Sequence, residues 1–424
     1  MFRFLLKGIL RDRRRSLLPV IVVTIGVLCI VSLDGIIGGM MESMIRLTSN
    51  FQTGHIRVVT REYVKEEEQK PLDLALTGVG SLLEELHRNH PSVDWAPRIF
   101  FGGLLDIPDE RGETKAQGPV VGQALDLLTA GSKEAERMGL SKALTEGKLI
   151  SRQKEIMVSI DFAEKLGVKP GDTVTFFGAT MYGSMAFQNY VVAGIVRFGT
   201  GMLDKGAVIL DLADARQLLD MEDAAGEIFG FFPENIYDDA LAGSIKQEFN
   251  ASQQDNPDEY APEMLQLTDL PLMSQMLNYM KAVSMGMLIL MILALSIVLW
   301  NTGILGGIRR YNEFGMRLAL GEEKRHIYST LLNESLIIGV IGSVVGTLFG
   351  LFLSLLLSRY GLDYSASMEN VSLMIDPVVR AKITPRMYFI GFIPGLLAMV
   401  IGTALAGRAI YKRSTATLFK ESEK

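Results

Sequence analysis

Two kinds of hydrophobic pattern share this chain. Four runs are apolar on every face: Leu17 to Ile37, Val283 to Leu305, Leu331 to Leu357 and Met387 to Leu405. Each has about the length a helix needs to cross a hydrocarbon layer about 30 Å thick. Between the first two, the period shortens. GHIRVVT at Gly54–Thr60 alternates like a strand, and Val79–His90 has helical spacing ended by Pro91. Strand-like runs recur at Arg98–Ile107, Pro119–Gln123, Glu155–Ser159, Thr173–Phe177, Asn189–Arg197 and Gly206–Leu210. DFAEKLG, residues 161–167, reads as a helix, and Asp211 as the N-cap of DLADARQLLDM. Leu33, Ile37, Met40, Met44 and Leu47 continue helical spacing past the first run, and Leu272–Lys281 precedes the second, which predicts two stalk helices.

The expected fold class is an α-helical membrane protein with four transmembrane helices plus a large mixed α/β domain inserted between the first and second helices. The inserted domain is expected as two small subdomains meeting near residue 145. The expected layout is a cytoplasmic N-terminus 1–16, helices at 17–41, 276–306, 331–358 and 387–407, and an external domain with its stalks at 42–272. A connector at 307–330, an external loop at 359–386 and a tail at 408–424 complete it.

Charge orients this layout. The intracellular pieces (1–16, 306–330 and 408–424) hold 16 Lys and Arg in 58 residues, against 4 in 28 for the loop 359–386. The positive-inside rule places both termini and the connector in the cytoplasm. The first run is long for a cleaved leader and no A-x-A follows it, so a retained signal anchor is expected. The stretch 42–272 carries 37 acids and 21 bases, net −16, while the remainder is net +10. An acidic external domain on a basic membrane part fits a bacterial inner-membrane protein and argues against nucleic-acid binding. Cys29, the one cysteine, lies inside the first span and reads as packing.

The chemistry-bearing motifs of enzymes are missing from the sequence. No G-x-x-x-x-G-K-[ST] phosphate loop, nucleophile elbow or H-E-x-x-H occurs. No catalytic residue, bound cofactor or metal is therefore expected on this chain. His87 and His90 near Glu84 suit a solvated helix face or a two-ligand metal site. Gly342, Gly346 and Gly350 make a small-residue ridge, consistent with packing inside one subunit or between two. Asp34 and Glu334 sit near span ends, where a carboxylate is cheaper than at mid-bilayer.

The connector carries the family likeness. Glu313-Phe314-Gly315, Arg317, Ala319-Leu320-Gly321, then Leu332, Glu334 and the glycine-spaced span, resemble the FtsX-like permease signature of lipoprotein-releasing, macrolide-efflux and cell-division ABC permeases. The GHIRV strand, VVGQALD, AEKLGVKPGDTV, YVVAGIVRFGTGMLDKGAVILDLADARQLL and the tail RAIYKRSTATLF resemble the lipoprotein-releasing branch. The resemblance implies that Glu313, Phe314, Gly315, Arg317, Leu320 and Gly321 couple to a separate ABC ATPase in two copies, which holds ATP and Mg. It also implies a second permease subunit, a lipid-anchored cargo and a periplasmic lipoprotein carrier. Efflux with an outer-membrane partner and an FtsX-like mechanotransmission scaffold are the alternatives. Met40, Met44, Met276 and Met280 are candidates for an acyl-chain groove, or ordinary membrane filler. Met181, Tyr182, Met185 and Phe187, on the apolar hairpin 178–188, are candidates for the carrier contact, or fold back onto their own domain.

Overall fold

The computed structural model describes residues 13–109, 111–198, 201–309, 316–318, 320–363 and 378–412. It divides into two compact units, one built from Met1–Glu42, Met276–Asp363 and Val378–Lys424, the other from Ser43–Gln275 with Tyr364–Pro377.

The first unit is helical. Four helices among the described residues are long and apolar enough to span a membrane. α1 is Arg13–Thr48. In the second unit, α2 is Val79–Asn89, α3 Ile160–Leu166, α4 Leu212–Leu218 and α5 Asp239–Ser252. The remaining spans are α6 (Pro271–Arg309), α7 (Lys324–Tyr360) and α8 (Phe392–Lys412). The observed helices overrun the expected bounds by several residues, and the connector's last turn, 324–330, belongs to α7. A separate turn, Met387–Ile390, precedes α8. Pro394 has no N–H to give the Ile390 carbonyl, so the two do not merge.

The glycine ridge of α7 is spent inside the chain. A Cβ at Gly342, Gly346 or Gly350 would stand 2.8 Å from Val23, 2.7 Å from the Thr24 carbonyl and 2.8 Å from Val31. The hydroxyl of Thr24 donates to the Gly342 carbonyl at 3.4 Å. Val23, Val27 and Val31 of α1 thus lie in the groove the missing side chains leave, and α8 joins them through Ala398 and Met399. Asp34 faces Arg386 at 3.7 Å, and Glu42 faces Lys382 at 3.4 Å.

The second unit holds a ten-stranded sheet among the described residues. In chain order its strands are β1 (Ile56–Thr60), β2 (Asp94–Pro108), β3 (Thr114–Leu125), β4 (Leu144–Gly147) and β5 (Glu155–Ser159). Then come β6 (Thr173–Ala179), β7 (Met185–Val196), β8 (Ala207–Asp211), β9 (Glu227–Phe231) and β10 (Pro262–Gln266). Two motifs share it. Strands β10, β1, β9 and β2 run antiparallel in that order, with α2 and α5 as crossovers: a split β-α-β unit. Val79, Leu86, Ala242, Ile245 and Phe249 pack there on Ile56, Val58 and Ile228. Beyond it, β2, β3, β8, β5, β7 and β6 pair in a ring that returns to β2, a small closed barrel without free edges. Its interior holds alternate residues, among them Ile99, Phe101, Leu105, Val120, Ile156, Val158, Phe176, Tyr190, Val208 and Leu210.

Two subdomains therefore exist, but the division near residue 145 is wrong. The barrel is inserted into the split unit, between β2 and β9, and β2 belongs to both. Asp94–Arg98 pairs with β9 and Ile99–Pro108 with β3. Asp211 does cap its helix, accepting from the Ala213 N–H at 3.0 Å.

His55, ahead of β1, is fully buried against Phe231, Phe232 and Tyr237. Its Nδ1 accepts the Phe232 N–H at 2.9 Å, which sets the neutral ring with its proton on Nε2. Burial, with the Arg137 charge nearby, lowers the imidazole to about 4. The folded state thus favours the neutral ring, and its contribution is complete above about pH 6.5 and lost as pH falls toward 4. At about 1.4 kcal/mol per unit this removes up to about 3 kcal/mol. Urea melts of the full chain followed by Trp fluorescence are expected to lose stability over this window, and His55→Asn, which keeps an acceptor, to flatten the loss. For the helical unit, Gly346→Ala is expected to cost about 1–3 kcal/mol through overpacking. Gly286→Ala, where a Cβ meets nothing within 4 Å, is the control and should not lower the detergent-solubilised midpoint.

Candidate functional site

Three places carry the candidate residues. The first is the connector before α7. Glu313, Phe314 and Gly315 lie outside the described residues, whereas Arg317, Leu320 and Gly321 form a helix end. The Glu322 N–H reaches the Arg317 carbonyl at 3.0 Å and the Gly321 N–H the Leu318 carbonyl at 3.1 Å. That pair of bonds, with φ +89° at Gly321, is a Schellman stop. Gly321 ends the helix. Leu320 is left 88% exposed and Met316 is also exposed. Arg317 faces Glu322 at 4.0 Å, and His326 approaches the same carboxylate at 3.7 Å. The structure thus offers an apolar knob beside a charged rim at the N-terminal end of α7.

The second place is the hairpin joining β6 and β7. The Thr180 N–H donates to the Ser184 carbonyl at 2.8 Å, and the Thr180 hydroxyl accepts the Ser184 N–H at 3.3 Å. This tight tip holds Tyr182 at 76%, Met185 at 79% and Phe187 at 68% exposure. Phe187 pairs across the strands with Phe177, also exposed, so the apolar surface continues along the barrel's outer face. Alternation explains it: Phe176 and Ala186 point into the barrel, so their neighbours Phe177, Met185 and Phe187 point out. The hairpin does not fold back at these three residues. Met181 departs from the expectation. Its N–H is tied to the Leu219 carbonyl at 2.9 Å, and its side chain packs on the barrel core. There it lines a cavity of about 490 Å³ with Leu76, Leu82 and Tyr260.

The third place is the methionine set. Met40, Met44, Met276 and Met280 are all half-buried. Helices α1 and α6 approach where Gly26 meets Leu295, which lies about 20 Å along α1 from Met40 at 1.5 Å per residue. Of the four spans, α6 is the least covered, with 17% of its apolar window buried against 39–44% for the others.

His87 is exposed, with Nδ1 at 2.7 Å from the Leu83 carbonyl of its own helix. Among the described residues no group of three or more His, Cys, Asp or Glu is placed to hold a metal.

Comparison with known proteins gives two family matches that together cover most of the chain. The MacB-like periplasmic core domain matches residues 16–247, and the FtsX-like permease C-terminal domain matches residues 285–415. No curated protein matches. Among solved structures, the chain is similar to the periplasmic region of MacB from Actinobacillus actinomycetemcomitans at 10% identity and a TM-score of 0.33. That likeness covers 52% of this chain and 91% of the other.

The exposed tip and the buried interior of one strand predict opposite outcomes. Phe187→Ser in the full chain is expected to leave the urea midpoint nearly unchanged. Phe176→Ser, at a fully buried ring edge-on to Phe101 at 5.3 Å, should cost about 3–5 kcal/mol.

Proposed function

The chain belongs to the FtsX-like permeases with a MacB-like periplasmic core domain, and on that premise we propose that it extracts lipid-anchored proteins from the bacterial inner membrane as the membrane subunit of an ABC transporter. Permeases of this family work with an ABC ATPase and dimerise. In this reading both termini and the connector are cytoplasmic, and the acidic domain 43–275 is periplasmic. ATP and Mg stay on the partner.

The observation that carries the cargo reading is the exposed apolar tip of Tyr182, Met185 and Phe187. Water-facing aromatic and Met side chains of that size mark a contact surface, and a soluble carrier is a partner they suit. Leu320 and Met316 beside Arg317 suit docking into an ATPase, with Gly321 fixing the angle at which α7 leaves that contact. The sparse cover on α6 leaves room for a second permease subunit or a lipid chain along Met276 and Met280. Efflux through an outer-membrane channel is the second reading, and transmission of ATP-driven strain to a periplasmic hydrolase the third.

The test is photocrosslinking in cells from Met44 and Tyr182, followed by purification of the tagged full chain. Lipoprotein at Met44 and a soluble carrier at Tyr182 support lipoprotein release. An ATPase co-purifying without either crosslink keeps the permease and removes this cargo. Arg317→Glu should leave insertion intact while cargo release falls at least tenfold; unchanged release would remove Arg317 from the coupling contact.

A further inference from the structure

A cleft of about 820 Å³ lies within the second unit where the split β-α-β unit meets the barrel. The split unit contributes Leu83, Trp95 and Pro97, and the barrel side contributes Leu128 and Leu212 together with most of the polar groups. Sites that hold small organic molecules have this size and this mixture of apolar lining with a few polar groups. The indole is fixed by the sheet. Trp95 stands opposite Gly230 of β9, where an added Cβ would meet the ring at 2.7 Å. Glycine at that position leaves the ring its place, and Trp95 is only 5% exposed.

The polar groups carry opposite signs and are not spent on one another. Arg216 of α4 is half-buried, and its Nε donates to the Ala224 carbonyl at 3.2 Å. That bond holds the guanidinium by one edge, and no described residue accepts from Nη1 or Nη2. Burial lowers the guanidinium below its ordinary value although Asp223 and Asp126 oppose the shift, so its charge is less well matched than in water. Of the acids lining the cleft, Asp211 is satisfied. Its two oxygens take the N–H groups of Leu127 at 3.0 Å, Leu128 at 3.1 Å and Ala213 at 3.0 Å. Asp126 takes one, from Thr129 at 3.2 Å through Oδ1, which leaves Oδ2 open. Glu222 is exposed and has no side-chain partner among the described residues, and the carboxamides of Gln153 and Gln217 have none either.

This set selects what can enter. A phosphate-like dianion would be repelled by Asp126 and Glu222, and a simple cation by Arg216. A wholly apolar molecule would cover the Arg216 fork and take water from its donors. A ligand with a carboxylate at one end, an ammonium at the other and amides between them meets every group. A planar guanidinium with both Nη atoms free suits a carboxylate in particular, because two parallel bonds form at once.

We propose that this cleft binds a short peptide with free ends. The carboxylate lies on Arg216, the ammonium on Asp126 and Glu222, and the amides on Gln153 and Gln217, with the side chains against Leu83, Pro97 and Leu128. Binding needs neither ATPase nor cargo, so it stands apart from the transporter reading above.

Trp95 supplies the signal. The chain has two tryptophans, Trp95 and Trp300, so Trp300→Phe leaves one emitter, and that one lines the cleft. The full chain with this change, in nanodiscs, is titrated with trileucine, its C-terminal amide and its N-acetyl form, with empty nanodiscs as the blank and calorimetry alongside. Trileucine should shift the Trp95 emission saturably. The amide should bind at least tenfold more weakly and the N-acetyl form at least threefold. Arg216→Gln should weaken trileucine at least tenfold yet leave the amide within twofold of its value on the unaltered cleft, a pattern that general damage to the cleft would not give. Should Arg216→Gln fail to fold, the three peptides on the unaltered cleft decide the matter. Equal binding of all three overturns recognition of free ends. Acetate displacing trileucine at equal concentration overturns the peptide and leaves a carboxylate subsite. No saturation in either measurement by about 10 mM, beyond the millimolar range of weak ligands, overturns the site itself.

Discussion

A hydrocarbon phase offers no hydrogen bonds, and most of the helical unit follows from that. Each span must satisfy its own backbone, so it is helix or nothing. Lipid tails are as apolar as leucine, so helices gain little by hiding leucine from them. What remains is closeness of contact. The glycines of α7 and the valines of α1 answer that requirement. With no Cβ in the way, Val23, Val27 and Val31 settle against backbone, and a stiff β-branched side chain loses little freedom in doing so. Water imposes the opposite economy on the inserted domain, where apolar residues alternate and barrel closure removes the edges.

Buried charge does a different job from buried methyl groups. Arg98 of β2, fully buried, donates from Nε to Glu134 at 2.6 Å, and a second cluster joins Arg57, Lys70 and Tyr63 to Glu227, which is fully buried on β9. Burial alone would raise the Glu227 carboxyl, but Arg57 and then Lys70 hold it below the usual carboxylate range. Such clusters add little net stability. They do fix register: a slip of one residue would turn Glu227 or Arg98 to the other face of the sheet and strand its partner. Both clusters sit on strands of the split unit at or near its boundary with the barrel, where an error of register would misplace everything inserted beyond.

Much of this was legible along the chain, and the limits are physical. Uniform apolarity named the four spans, and alternation named the barrel strands to within a few residues. Alternation says that a run is a strand and not which strand it meets, so the nesting of the barrel between β2 and β9 had no signal, and a sequential split near 145 was the simpler expectation. Strands β9 and β10 were passed over because GEIFGF and PEMLQ are short and mixed. A left-handed helix stop favours glycine, and Gly321 supplies it. The hairpin's apolar residues were readable too, but exposure depends on phase, and only the placed strands show that Met181 turns in while Met185 and Phe187 turn out. Arg98 gave nothing away. An arginine at the start of a strand-like run carries no signal that its side chain lies buried against Glu134.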